Sequence, residues 1–98
     1  MAKYLVLWEL NNSLAPVDPK ERGAAWLAMM EMIKQDLAEG RDSDWGCFVG
    51  ETKGYTITEQ DDVTMMKNLQ RFFPFVTFKA MPVATVDQIT EVAKSLTE

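Results

Sequence analysis

Apolar residues occupy both alternating positions of the run Lys3 to Leu10 (KYLVLWEL): Tyr4, Val6, Trp8 and Leu10 on one parity, Leu5 and Leu7 on the other. A short run apolar on both sides predicts a strand buried on both faces. Asn11-Asn12-Ser13 is loop chemistry. Asp18-Pro19-Lys20-Glu21 then predicts a helix start, with Asp18 as cap, Pro19 at the first helical position and Glu21 placed to reach back. Trp26, Met29, Met30, Ile33 and Leu37 recur at three- and four-residue spacing and form one apolar face, and Gly40 is the natural stop.

Trp45 to Glu51 (WGCFVGE) and Tyr55 to Gln60 (YTITEQ) read as two strands joined by a turn at Lys53-Gly54, where glycine supplies a positive φ. Asp61 and Asp62 suit the positive end of a second helix, whose buried face is Met65, Met66, Leu69, Phe72 and Phe73 and which Pro74 ends. Phe75 to Met81 (FVTFKAM) is a fourth strand. Thr85 with Gln88 makes a capping box for a final amphipathic helix carrying Ile89, Val92, Ala93 and Leu96.

The order β-α-β-β-α-β plus a C-terminal helix matches the ferredoxin-like plan, an α+β fold with a four-stranded antiparallel sheet in the order 4-1-3-2 and both long helices on one face. Two helices leave the second sheet face bare. Its parity carries Leu5, Leu7, Phe48, Tyr55, Ile57, Phe75 and Met81. A patch of that kind marks an interaction surface, and a homodimer with two sheets face to face covers it. The alternative is that the C-terminal helix folds across it.

The stretch Gly54 to Val83 (GYTITEQDDVTMMKNLQRFFPFVTFKAMPV) runs strand, acidic pair, short helix, Pro, strand, with a final Pro. In this it resembles the second half of muconolactone-isomerase-like proteins in the dimeric α/β-barrel group. It is similar, more closely, to a small bacterial and archaeal family of unknown function, whose first strand KYLVLWEL resembles. The resemblance covers nearly the full domain and rests on strand patterns rather than catalytic signatures. It implies a homodimer with a pocket between sheet and loops. Relatives in that group include isomerases, cofactor-free monooxygenases, dye-decolourising enzymes and stress proteins, so the fold does not choose the chemistry.

Composition narrows the choice. The 98 residues, 47% apolar and 26% charged, fit one globular domain over residues 1–98. A formal charge of −5 without a basic run argues against nucleic acid and anionic membrane as partners. There is no His, which removes the commonest general base, the usual zinc ligand and any Ser-His or Cys-His dyad, so family members that use a His offer nothing to carry over. Cys47 is the single cysteine and fits a reducing, cytoplasmic setting. The longest apolar runs, such as Ala24 to Met30, fall far short of a membrane span, and the N-terminus leads directly into a strand-like run rather than a signal peptide.

Candidate chemistry gathers on the bare sheet face. Glu9, Glu59 and Lys79 are charges set among apolar neighbours, where they need partners or water. With Phe48 and Tyr55 they suggest a cleft for a small, partly apolar molecule; the competing reading is that they are solvated or paired strand ends. An isomerase- or oxygenase-like activity would use Glu59, with Glu9 beside it, as proton carrier. That reading takes the first and third strands as parallel neighbours, which would bring the two carboxylates together and raise the pKa of at least one. A third reading is a structural or regulatory interaction module without a ligand.

No cofactor or metal is expected: the methionines fall on helix faces as core filling, no phosphate loop is present, and Asp42 and Asp44 read as a solvated loop. Cys47 is expected to be a buried, inert thiol pointing toward the helices, and Trp8, Trp26 and Trp45 to be core packing.

Overall fold

The computed structural model describes residues 2–98. The elements are β1 (Ala2–Leu10), α1 (Pro19–Ala38), β2 (Asp42–Cys47), β3 (Lys53–Gln60), α2 (Asp62–Leu69), β4 (Val76–Val83) and α3 (Val86–Ser95), with 3-10 turns at Asn12–Leu14 and Gln70–Phe72. The sheet order is β2-β3-β1-β4, and every neighbouring pair is antiparallel. This is the ferredoxin-like order that the sequence predicts. The sheet is open, with β2 and β4 as its edges.

The helix starts follow the predicted cap chemistry. The Asp18 carboxylate accepts from Glu21 N at 3.1 Å, and Pro19 opens α1. Asp61 accepts from Thr64 N at 3.0 Å. Thr85 and Gln88 form the reciprocal capping box of α3. Gly40, at φ +78°, follows α1. Each side-chain acceptor satisfies backbone donors that the first helical turn leaves unpaired.

The core lies between one sheet face and α1 with α2 and the 3-10 turn that follows it. Trp8, Ile33, Phe72 and Val76 form its centre, with Trp26, Met29, Trp45 and Phe78 packed against them. Trp8 and Trp45 stack with ring centroids 5.1 Å apart and planes 8° from parallel. Phe72 meets Phe78 edge-on at 6.1 Å. These rings supply much of the apolar area that the small domain buries.

Four expectations are corrected. β2 begins at Asp42, so Asp42 and Asp44 are strand residues and not a solvated loop. Threonines of β3 support this polar edge: Thr58 Oγ1 donates to Arg41 O at 2.6 Å and Thr56 Oγ1 to Asp44 O at 2.8 Å, on either side of a register shift between Asp42 and Asp44.

The hairpin turn is also displaced. Phe48 N donates to Lys53 O at 2.9 Å, and Gly50 at φ +83° is the residue that needs a left-handed backbone. Gly54 is instead a buried strand residue opposite Cys47. Its hydrogen makes room for the neighbouring chain: a Cβ there would lie 2.7 Å from the Trp8 ring and 2.8 Å from Cys47 Cα.

Cys47 keeps the parity of Trp45 but is exposed, because it lies at the end of β2 beyond the helix cover; its Sγ is 3.3 Å from Glu51 O. Exposure replaces the expected burial.

α3 buries none of its residues. It therefore does not cover the second sheet face, where Leu5, Leu7, Tyr55, Ile57, Met81 and Val83 remain partly exposed. Phe75 shares their parity in the sequence but precedes β4 and turns up on the helix side, in a groove with Trp26 and Met29. The molecule measures 63 × 26 × 20 Å, with a radius of gyration of 16.5 Å. A compact domain of about 100 residues has a radius near ~13 Å. No described helix is long and apolar enough to cross a membrane.

Candidate functional site

The antiparallel register of β1 and β3 decides where the predicted charges stand. Glu9 is opposite Lys53, and Glu59 is opposite Lys3. The two carboxylates are therefore at opposite ends of the ladder, roughly 20 Å apart at about 3.4 Å per residue. The expected pairing of Glu9 with Glu59 is overturned; it assumed that neighbouring strands in the 4-1-3-2 order run parallel, and they alternate.

At the Glu9 end of the open face lies a hollow of about 340 Å³ lined by Leu7, Glu9, Phe48, Lys53, Thr77 and Lys79, with the backbone of the strands as floor. The register explains the gathering. β1 is central, so Glu9 has Lys53 on one side and Thr77 on the other, while Leu7 has Tyr55 and Lys79. The turn after β2 delivers Phe48, whose ring lies 6.3 Å from that of Tyr55. Tyr55 lies over Gly46, where a Cβ would come within 2.6 Å of the ring. Its hydroxyl donates to Asp44 Oδ2 at 2.8 Å, and that bond to a carboxylate holds the phenol above its ordinary pKa. Tyr55 is thus a fixed aromatic wall with its polar end already satisfied.

Among the described residues, none of Glu9, Lys53 and Lys79 takes part in an ion pair. Two ammonium groups and one carboxylate beside Leu7 and Phe48 make the hollow locally cationic on a chain of charge −5. Such a site can hold a small anion by charge while an apolar or aromatic body rests on Phe48 and Leu7. Of the residues that the sequence singled out, Glu9, Phe48 and Lys79 line this hollow, Tyr55 adjoins it through Phe48, and Glu59 stands apart. Lys53 was hidden by its reading as a turn residue, and Thr77 by the absence of any signal beyond strand alternation.

A second polar assembly lies inside the fold, where none was expected. Asp36 of α1 is 2% exposed and accepts from Arg41 at 2.9 Å and Arg71 at 2.7 Å. Asn68 Nδ2 donates to Gln60 Oε1 at 2.6 Å, and Gln60 Nε2 to Thr58 Oγ1 at 2.6 Å. Burial, helped by the nearby Asp36 carboxylate, pushes Asp42 up from 3.8 to about 6, against the pull of Arg71, Thr56 and Arg41. The enclosed space beside this assembly is only about 40 Å³, enough for water and too small for a substrate. No buried side-chain nitrogen or oxygen among the described residues lacks a partner. This cluster is a brace that joins α1, the start of β2 and the 3-10 turn after α2. One sequence signal marks it: Asp36 falls three residues after Ile33 on the apolar face of α1.

No three of the described Asp, Glu or Cys side chains are placed to hold a metal ion. No protein-family model matches the chain, and none of the curated proteins does.

Proposed function

We propose that this is a cytoplasmic, homodimeric member of the dimeric α/β-barrel group, in which two open sheet faces close on one another and a small organic anion with an apolar or aromatic body binds between them. The observation that carries the reading is the hollow shared by Glu9, Lys53, Lys79 and Phe48 at one end of the open face, beside Leu7. Charges left without ion-pair partners beside an apolar wall are arranged for a ligand that has both characters. The apolar residues Leu5, Leu7 and Ile57 supply the dimer contact, and burying the area they still expose is worth about 25 cal/mol per Å². The exposed single thiol suits a reducing compartment.

Native mass spectrometry of freshly purified protein tests both halves of the proposal at once. The expected spectrum shows a dimer carrying a small added mass, which is lost in Lys53→Ala/Lys79→Ala while the dimer remains. A monomer, or an empty dimer that no small aromatic carboxylate stabilises against heat, would reject it.

A further inference from the structure

The C-terminal helix carries an apolar ridge that no described residue covers. Val86, Ile89, Val92, Ala93 and Leu96 follow helical spacing on one side of α3. Val86 is 83% exposed, Leu96 82%, and Ile89 and Val92 more than half. On the helix side of the body runs an equally uncovered groove of about 380 Å³ between α1, the loop after β1 and the start of β4. Its walls include Leu14, Trp26, Met29, Met32 and Phe75. We infer that α3 of one chain docks in this groove of a second copy, so that two chains exchange C-terminal helices.

Three features fit the two surfaces to each other. The first is length. The α1 residues that line the groove run from Arg22 to Met32, and the ridge runs from Val86 to Leu96. Each spans eleven residues, or ten helical steps of about 1.5 Å, making about 15 Å. The second is character. Apart from Asn11, Arg22 and Arg71 the groove lining is apolar. The ridge is apolar throughout, and at about 3.6 residues per turn Asp87, Glu91, Lys94 and Glu98 fall on the opposite side of the helix, where docking leaves them in solvent.

The third is reach. The groove touches β4 at Val76, its first residue, whereas α3 starts just after the strand ends at Val83. The strand's length is about 24 Å, and a helix folded straight back along it recovers only about 15 Å. Only two residues, Ala84 and Thr85, join them, and Thr85 is already committed as the helix cap. The ridge therefore cannot seat fully in its own groove. β4 is an edge strand, so the arm leaves from the rim of the molecule, free to pass round a neighbour. A two-fold axis repeats the contact, and each dimer buries two ridges in two grooves.

This inference does not rest on the sheet-face contact proposed above. A dimer that survives Leu7→Lys but not Ile89→Glu/Val92→Glu upholds the exchange and rejects that contact, and the opposite pattern does the reverse. Sedimentation equilibrium of the full chain should show a dimer at micromolar concentration, with at least tenfold weaker association in Ile89→Glu/Val92→Glu and an unchanged circular dichroism spectrum. A monomeric wild type, or a variant that associates like wild type, overturns the inference.

The groove itself is tested by mixing two single-cysteine proteins under mild oxidation: Cys47→Ser/Ala25→Cys, labelled in the groove, and Cys47→Ser/Ile89→Cys, labelled on the ridge. In an equimolar mixture, a mixed disulfide well above the half of all pairs that random pairing gives is expected. Random pairing, or none, overturns the groove as the docking place.

Discussion

Arg71 places its guanidinium 2.7 Å from Asp36 Oδ2, across 35 positions of sequence, and so ties the 3-10 turn after α2 to the last turn of α1. Arg41 takes the other oxygen. The carboxylate is buried, while both arginines keep about a third of their side chains in solvent. Removing the acid leaves two cations that water can partly reclaim; removing the bases leaves a buried anion with nothing to balance it. Asp36→Ala should cost about 3 kcal/mol in a urea denaturation, and Arg41→Ala/Arg71→Ala at least as much. A denaturation midpoint within error of wild type for either variant would show that the brace does not bear on stability.

Asp42 makes stability depend on pH in the direction opposite to most carboxylates. Its folded pKa, about 6, lies above its unfolded value. The folded state therefore holds the proton more tightly, and the stabilisation this brings is complete below about pH 3.9 and lost as pH rises through the folded value. Asp42→Asn should be more stable than wild type at pH 7 by about 1 kcal/mol, a figure reduced for the solvent that reaches a half-buried group. The difference between the two proteins should shrink between pH 7 and pH 4 in denaturation series. A constant difference would place the cause elsewhere.

Gly54→Ala puts a methyl group against the Trp8 ring and the backbone of β2, neither of which is a flexible side-chain end. A loss of about 3 kcal/mol, near the upper range for overpacking, is expected in thermal or chemical denaturation. Gly50→Ala meets no atom within 4 Å and suffers only from its left-handed backbone, at about 1–2 kcal/mol. Equal effects from the two would contradict the placing of the turn at Gly50.

Cys47 should react with a thiol reagent in the native protein at nearly the rate found after unfolding, because it stands exposed at the end of β2. Slow native labelling would mean that the end of β2 is covered in solution.

Leu7→Lys introduces a charge at the centre of the open face, between Tyr55 and Lys79. Association weaker than that of the wild type is expected in sedimentation velocity, since a lysine beside Lys79 opposes burial of that face. An unchanged assembly would mean that the open face is not an interface.

The helices were legible because caps act within one turn of chain. Asp18, Asp61 and Thr85 each announce a helix start by chemistry that needs no tertiary partner. Core parity on β1 was legible too, since Val6 and Trp8 alternate with residues of the other face. The hairpin was not. Lys53-Gly54 has the composition of a turn, but the constraint on Gly54 comes from the facing backbone of β2 at Gly46 and Cys47 and from Trp8, 46 positions away, and no local pattern carries it. Phe75 was misplaced for a related reason: alternation assigns a face only inside a strand, and β4 starts one residue later. Glu9 and Glu59 were each placed at the correct end of their own strands. Their separation follows from strand direction, which residue periodicity does not encode. Asp36 was overlooked because an acid on an apolar helix face becomes intelligible only with Arg71, which the fold supplies.

The near-parallel stack of Trp8 on Trp45 divides the protein's three indoles into two optical populations. Rings at that separation share their electronic excitation, so the pair should give an exciton signature in circular dichroism that disappears when edge strand β2 peels from the sheet. Trp26 lies outside the stack, in the wall of the groove on α1. Its emission is left to report whatever enters that groove. The natural chain thus carries separate spectroscopic reporters for the integrity of its sheet edge and for the occupancy of its helix side, and the two can be followed together without a label.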